Sequence, residues 1–441
     1  MEKFSNQKIG QMIIDGAKKR GIKDAKAVVS HSRSVSVLFR KGVPDKVEDS
    51  GRRSVSVSLY DNGRYSSSSS NDFRPEALEK FLDSAVAMTK AMEKDPFREI
   101  TDPELYKNRK NIDLELYDKE VDEFSTQKRN DAALESEQAA LKAAEDKAIS
   151  AESSMETSTG SSYKIHSNGF EGSVKGSQIW LFTEISLKGG GDKRPSGWDI
   201  TGGRFVSDLG SPAEVGKGAA MRAMQKLGTH KISTRKCPMI VENRTVGRLL
   251  GGLLGATSGR SLQQRASFLE EMENKKVGSS LLTITDEPFI KRALGSRLFD
   301  SEGISAKTMP VFKDGVFENF YIDTYYAKKL KRKPTFGGSS NLIFTPGQKN
   351  LMELAADIKD GILVRGFIGG NTNGTTGDFS LGVYGTLIEN GKLTDAVSEL
   401  NISGNHKELW NHLVAVGNDP WIYSSKRVPS LVFDEIQFSG N

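Results

Sequence analysis

Hydrolysis at zinc needs three protein ligands in one place, commonly two histidines a helical turn apart with a carboxylate base close by. The chain has five histidines, His31, His166, His230, His406 and His412, and no two lie within four residues of each other. His406 and His412, in the segment HKELWNH, are six apart and would face different sides of a helix. Each histidine therefore reads as a surface or hydrogen-bonded side chain, and a zinc centre would have to be assembled across the fold. Nucleophilic chemistry is no better supplied. Cys237, the only cysteine, precedes Pro238 and a short apolar run, the setting of a structural thiol. Serines are plentiful, but none sits in a G-x-S-x-G elbow between a strand and a helix. Residue types and spacing assign no catalytic, cofactor-binding or metal-binding residue.

Two further stretches invite a ligand. TVGRLLGGLLGATSG, from Thr245 to Gly259, is rich in glycine, but Gly255 and Gly259 have only three residues between them and Arg260 stands where a phosphate loop has lysine. Arg244, Arg248 and Arg260 also interrupt it too often for a membrane span. Its spacing predicts a soluble amphipathic helix. Val246, Leu249, Leu250, Leu253 and Leu254 share one face, while Gly247, Gly251, Gly255 and Gly259 form a ridge on an adjoining one. Glycine inside a helix costs about 1 kcal/mol relative to alanine, so the ridge predicts a backbone approaching closely, in the core or across a subunit contact. The basic run Lys328–Lys333 could meet phosphate, but it reads better as a solvated helix end before Pro334.

The elements that would position these residues alternate between helix and antiparallel strand. Lys8–Arg20 is helical, with Ile9, Met12, Ile13 and Ala17 on one face. From Ala25 to Asn71 the period is two, with a hairpin at Asp61-Asn62-Gly63 and Ser66–Ser70 as a polar return strand. Phe73–Met92 is again helical. Lys94–Leu116 reads as a linker or crossing segment, and Tyr117 to about Ser150 as one long charged helix with an alanine stripe at 132, 133, 139, 140, 143 and 144. A second antiparallel sheet follows, turning at Ser167-Asn168-Gly169, and Ser211–Leu227 closes that unit as a helix. After Cys237 the chain is mostly strand, punctuated at Asp314-Gly315, Asn371–Gly377 and Asn390-Gly391. The expected fold class is α+β: two small helix-plus-antiparallel-sheet units, residues 1–95 and 96–230, followed by a larger β-rich, barrel-like domain at 231–441.

At 441 residues a multi-domain globular protein is expected. Lys plus Arg exceeds Asp plus Glu by only five, 62 against 57, which gives no argument for nucleic acid as a partner. A single cysteine excludes an intrachain disulfide, and the amino-terminal stretch has no apolar run of signal-peptide length. A cytoplasmic, membrane-free protein is expected.

Several long segments resemble the TldD/PmbA family, historically labelled modulators of DNA gyrase and described as components of a two-subunit metalloprotease. They are RSVSVSLYDNG, IHSNGFEG, LFDSEGISAKTMPVFKDGVFENFYIDTYYAKKL, NGTTGDFSLGVYGTLIENGKL and VGNDPWIYSSKRVPSLVFDEIQFSGN. The resemblance covers most of the chain. In the TldD branch it implies a zinc peptidase with H-E-x-x-x-H on the helix at TVGRLLGGLLGATSG and a further cysteine ligand near the carboxy terminus. By alignment Leu249 and Leu254 stand at the two histidine positions, Leu250 at the glutamate and Val416 near the cysteine. The chain is thus similar to the other branch, PmbA or TldE. That likeness implies a subunit inactive alone and without cofactor, whose partner is a TldD-type zinc peptidase subunit and whose substrates are peptides or unfolded proteins. A homodimer, or a self-associating peptide-binding module that uses exposed strand edges, is the alternative.

Overall fold

A computed structural model describes residues 5–440. Helix α1 (Asn6–Lys19) starts at Ser5, whose hydroxyl accepts from the Lys8 amide. Strands β1 (Asp24–Arg40), β2 (Val43–Asp61) and β3 (Arg64–Ser70) follow, then helix α2 (Pro75–Ala91). Asn62 and Gly63 turn β2 into β3 with φ of 50° and 82°, the left-handed pair that a two-residue hairpin needs. The serine run is the return strand, as its position after that turn predicts. Ile9, Ile13 and Ala17 of α1 and Leu78 and Leu82 of α2 pack on Val29, Val55, Val57 and Leu59. This is the helical stripe meeting one face of the pleat.

The crossing segment Lys94–Leu116 forms only a 3-10 turn, Pro103–Tyr106, and straps the two halves together. The Asp95 amide donates to the Gly63 carbonyl, and the amides of Ser305 and Arg292 donate to the carbonyls of Leu105 and Leu114. The long helix expected from Tyr117 to Ser150 is instead α3 (Lys119–Asp122), α4 (Thr126–Ala144) and the start of β4 (Ala148–His166). Two local signals override the run of helix formers. The Asp118 carboxylate accepts from the Glu120 amide and the Ser125 hydroxyl from the Lys128 amide, so each starts a new helix. Glu145 then leaves α4 at φ 52°. Within the alanine stripe Ala132, Ala133, Ala140 and Ala144 are buried.

Strands β5 (Glu171–Leu187) and β6 (Ser196–Gly203) and helix α5 (Pro212–Met224) complete this half. Their strands do not make the separate sheet expected from the sequence. β4 pairs antiparallel with β1 from Lys26↔His166 to Arg40↔Glu152, giving one six-stranded sheet in the order β3-β2-β1-β4-β5-β6. Period-two alternation fixes which face a residue takes, not which strand lies alongside. α4 and α5 lie so close that a Cβ on Gly216 would sit 2.1 Å from the Ser136 carbonyl oxygen.

The carboxy-terminal half comprises β7 (Arg235–Val241), α6 (Asn243–Gly255), α7 (Gly259–Gln263), β8 (Lys275–Lys276), β9 (Ile284–Asp286), β10 (Met309–Lys313), β11 (Val316–Phe317) and α8 (Thr324–Leu330). It continues with β12 (Leu342–Phe344), α9 (Leu351–Ala356), β13 (Asp360–Thr372), β14 (Asp378–Glu389), β15 (Lys392–Asn405), α10 (His406–Leu409), β16 (Leu413–Val416), β17 (Lys426–Arg427) and β18 (Leu431–Ser439). Strands run β15-β14-β13-β7-β18, and β18 returns to β15 through Asn401↔Ser439 and Ile402↔Phe438. Five strands therefore close into a barrel, with β16 added on β18. β7 contains both Cys237 and Pro238, so it begins before the apolar run. The β18 register shifts between Phe433 and Ile436, which lets a residue without an N–H sit in a central strand. A smaller sheet, β11-β10-β9-β12-β17, shares the barrel's core: Val241, Val364, Val383 and Phe433 belong to one apolar cluster with Phe312 and Phe344.

Candidate functional site

Helix α6 follows β7 directly and drives Val246, Leu249, Leu250 and Leu253 into that core, each no more than 1% exposed. Leu254 is half-buried against it, and Val416, at the end of β16, is buried in the same cluster. The four positions that the resemblance ties to metal chemistry are packed hydrocarbon. Among the described residues no group of three or more His, Cys, Asp or Glu side chains is placed to hold a metal ion.

Among the described residues the glycine ridge meets a close backbone at one of its four positions, Gly259. A Cβ on Gly247, Gly251 or Gly255 would meet nothing within 4 Å among the described residues. Off the ridge, a Cβ on Gly252 would lie 2.3 Å from His406 Nε2; on it, one on Gly259 would lie 3.1 Å from Ile322 Cα. The leucine face takes the core, and the ridge, a different face of the same helical period, is left outward.

The other candidates settle into structural roles. His31 and His230 are exposed, and His412 Nδ1 lies 2.9 Å from Asp434 Oδ1. His406 and His412 do not share a helix: α10 stops at Leu409 and a 3-10 turn carries His412. Buried His406 accepts from Trp410 Nε1 at 3.2 Å and stacks on Phe268; burial pushes it down to about 4. Burial also pushes the Cys237 thiol up to about 11, away from a reactive thiolate. The basic run ends α8, with Lys331 left-handed at φ 53°. Lys328 pairs with Glu99, Lys329 with Asp95 and Arg332 with Glu273.

Two of the motifs quoted above meet at a polar junction between the sheet and the carboxy-terminal half. Lys164 Nζ donates to the carbonyls of Asp300, at 3.1 Å, and Ser301, at 2.6 Å. Glu302 accepts from the Thr324 amide at 2.8 Å and hydroxyl at 2.5 Å. His166 Nδ1 lies 2.9 Å from the Tyr106 hydroxyl, and its ring is 4.7 Å from that of Phe170. Burial, reinforced by the charges of Lys26 and Lys164, pushes His166 down to about 2; burial pushes Lys164 down to about 8 and raises Glu302. The packing is tight. A Cβ on Gly172 would sit 2.6 Å from the Phe299 ring, and one on Gly303, at φ 82°, 2.8 Å from the Phe170 ring.

A third concentration of charge lines a cleft where edge strand β6 and helix α5 face the barrel. A cleft of about 190 Å³ is walled by Trp198, Arg222, Lys226, Arg244, Arg365 and Tyr384. Arg244 donates to Asp199 Oδ1 at 2.7 Å and to the Trp198 carbonyl at 3.1 Å, with its guanidinium between the rings of Trp198 and Trp421. Arg222 reaches Glu242 Oε1 at 3.0 Å, and Arg365 stands 3.8 Å from the same oxygen. Lys226 donates to the Ser196 carbonyl at 2.6 Å and lies over the Tyr384 ring. Burial pushes the Arg244 and Arg365 guanidiniums down from their ordinary value. Among the described residues Arg222 Nε and Glu242 Oε2 are buried without a hydrogen-bond partner. These cations come from three distant segments, so no local motif could reveal them; Arg244 was visible only as a break in an apolar run.

Comparison with known proteins gives consistent likenesses along the chain. The models for PmbA/TldA metallopeptidase domain 1, central domain and C-terminal domain match residues 25–89, 119–227 and 234–440. The metalloprotease PmbA of Escherichia coli O157:H7 is 30% identical over 421 residues, 94% of this chain and 92% of that protein. The metalloprotease PmbA homolog of Haemophilus influenzae is 28% identical, with 95% and 92% covered. A solved structure from Bacteroides thetaiotaomicron, bearing the label of a DNA gyrase modulator, superposes with a TM-score of 0.97 at 39% identity over 100% of both chains. TldE from Thermococcus kodakarensis superposes at 0.85 with 20% identity, covering 98% of this chain and 100% of that one, and shares the fold. Among the described residues no helix is long and apolar enough to cross a membrane.

Proposed function

Because the chain belongs to the PmbA/TldD metallopeptidase family, we propose that it is the PmbA/TldE-type subunit of a cytoplasmic metalloprotease complex that acts on peptides or unfolded proteins. In this reading a TldD-type partner carries the zinc and the chemical step. The observation that carries it is the commitment of α6 to packing: Leu249 and Leu250 are buried and hydrocarbon has no lone pair for a metal. The open glycine ridge on the same helix is free to face a partner. The alternative, a self-associating module that pairs through strand edges, is less well supported. The longest free edge, β2 from Val43 to Arg53, is exposed and carries Pro44, Lys46, Glu48, Asp49, Arg52 and Arg53, the composition that blocks edge pairing.

Co-expression with a TldD-type chain and size-exclusion chromatography test the proposal. A stable 1:1 species is expected; a chain that elutes alone, or only as its own dimer, would refute it.

A further inference from the structure

The cleft between β6 and the barrel has the surplus charge and the geometry of a receptor. Arg222, Lys226, Arg244 and Arg365 face two carboxylates, Asp199 and Glu242, four positive charges against two negative. Two of the guanidiniums are largely withdrawn from water: the side chains of Arg244 and Arg365 are 7% and 12% exposed. Like charges gathered where water is scarce repel one another, and an anion placed among them relieves that repulsion. Arg222 Nε, buried and unpartnered, is a donor in need of an acceptor. Among the described residues Lys226 meets a carbonyl and a ring face but no carboxylate.

What lies beside the cleft indicates the rest of the ligand. Lys226 and Tyr384 are also walls of a second groove, about 510 Å³, which continues past Pro195, Leu227 and Ile368. Ile368 is 59% exposed, a large apolar side chain open to solvent at the mouth of a basic pocket. A free phosphate would use the charge and leave this surface idle. A chain with an anionic end and apolar side chains behind it uses both, because a guanidinium fork matches the two oxygens of a carboxylate.

We infer that the cleft binds the terminal carboxylate of an extended peptide among Arg222, Lys226 and Arg365, with the preceding apolar side chains in the groove past Leu227 and Ile368. This deepens the reading of the chain as a peptide-handling subunit and rests on it.

Fluorescence polarisation with an amino-terminally labelled apolar hexapeptide tests the inference, as free acid and as carboxy-terminal amide, on the co-purified complex and on the chain alone. The free acid is expected to bind at least tenfold more tightly than the amide. Lys226→Gln, at a half-buried position, is expected to abolish most of that preference without moving the thermal midpoint, and Arg365→Lys to retain part of it. Equal binding of acid and amide overturns the inference. So does a preference that Lys226→Gln leaves intact, or inorganic phosphate binding the cleft more tightly than the peptide acid. A complex that forms without the preference removes the cleft and spares the subunit role. A preference read on the chain alone, where no complex forms, does the reverse.

Discussion

The junction at His166 and the cleft at Arg365 both hold buried cations beside carboxylates, and each contains a buried nitrogen without a partner, His166 Nε2 in one and Arg222 Nε in the other. They meet the cost of burial differently. At the junction the lysine head is taken up by two carbonyls, the glutamate by a threonine amide and hydroxyl, and the space is filled by Phe170, Phe299 and Tyr106. At the cleft two arginines share one glutamate oxygen, a lysine has no acid, and a cavity remains. Buried charge alone therefore does not mark a site. Charge left partly uncompensated next to empty volume does, whereas compensated charge in a filled space works as an adhesive between the two halves of the chain.

The largest effect is expected from a cut at the junction. Phe170→Ala, in a ring that touches Tyr106, His166 and Phe299, should lower stability by about 3–5 kcal/mol in urea titration. A loss below about 1 kcal/mol would mean the junction is not closely packed. At the cleft, Arg222→Met should cost about 3 kcal/mol, because Glu242, with a side chain 6% exposed, would keep only Arg365. Arg222→Met combined with Glu242→Met should return to within about 1 kcal/mol of the parent, since removing both members of a buried pair is close to neutral. Failure of the double substitution to recover would show that the pair organises the fold, not the pocket.

Acid should weaken the junction through its histidine. Folded His166 is pushed down to about 2, against an ordinary value of 6.5. Below that ordinary value the unfolded chain takes up a proton that the folded chain refuses, so stability falls as pH drops. Between pH 6.5 and 5 the loss approaches about 2 kcal/mol, at about 1.4 kcal/mol per pH unit, and His406, pushed down to about 4, adds to it. Urea midpoints at pH 7 and pH 5 measure the slope, and His166→Asn should flatten it; an unchanged slope would locate the acid sensitivity elsewhere. The smallest effect belongs to α6. Gly251→Ala should stabilise the isolated chain by up to about 1 kcal/mol, since nothing lies near its Cβ, whereas Gly252→Ala should destabilise it by driving against His406. Thermal melts of both variants compare the two flanks, and the same sign for both would refute the assignment of faces.

Much of this architecture was legible in local patterns. The hairpins at Asn62-Gly63, Asp314-Gly315 and Asn390-Gly391 all carry the positive φ values that such pairs supply. The leucine face of α6 is buried as its spacing predicts, and the barrel-like half closes into a barrel. The misreadings share a cause. Alternation could not tell that β4 joins β1 and not a sheet of its own, and helix propensity hid the caps at Asp118 and Ser125. The cleft was illegible because Arg222, Arg244 and Arg365 become neighbours only when α5, α6 and β13 converge. His166 looked ordinary for a similar reason: its partner Tyr106 arrives from 60 residues away, and the Asp300 loop that takes up the neighbouring Lys164 from more than 130.

In the proposed complex the zinc and the chemical step belong to the TldD-type chain, and this chain contributes no metal chemistry of its own. Peptidase activity and zinc content measured side by side on the purified chain, on a TldD-type chain and on their co-purified complex test it most directly. The expected result is a complex that cleaves unstructured peptide with zinc contributed by the TldD-type chain, and no zinc or cleavage from this chain alone. Stoichiometric zinc together with peptide cleavage by this chain in isolation would contradict it.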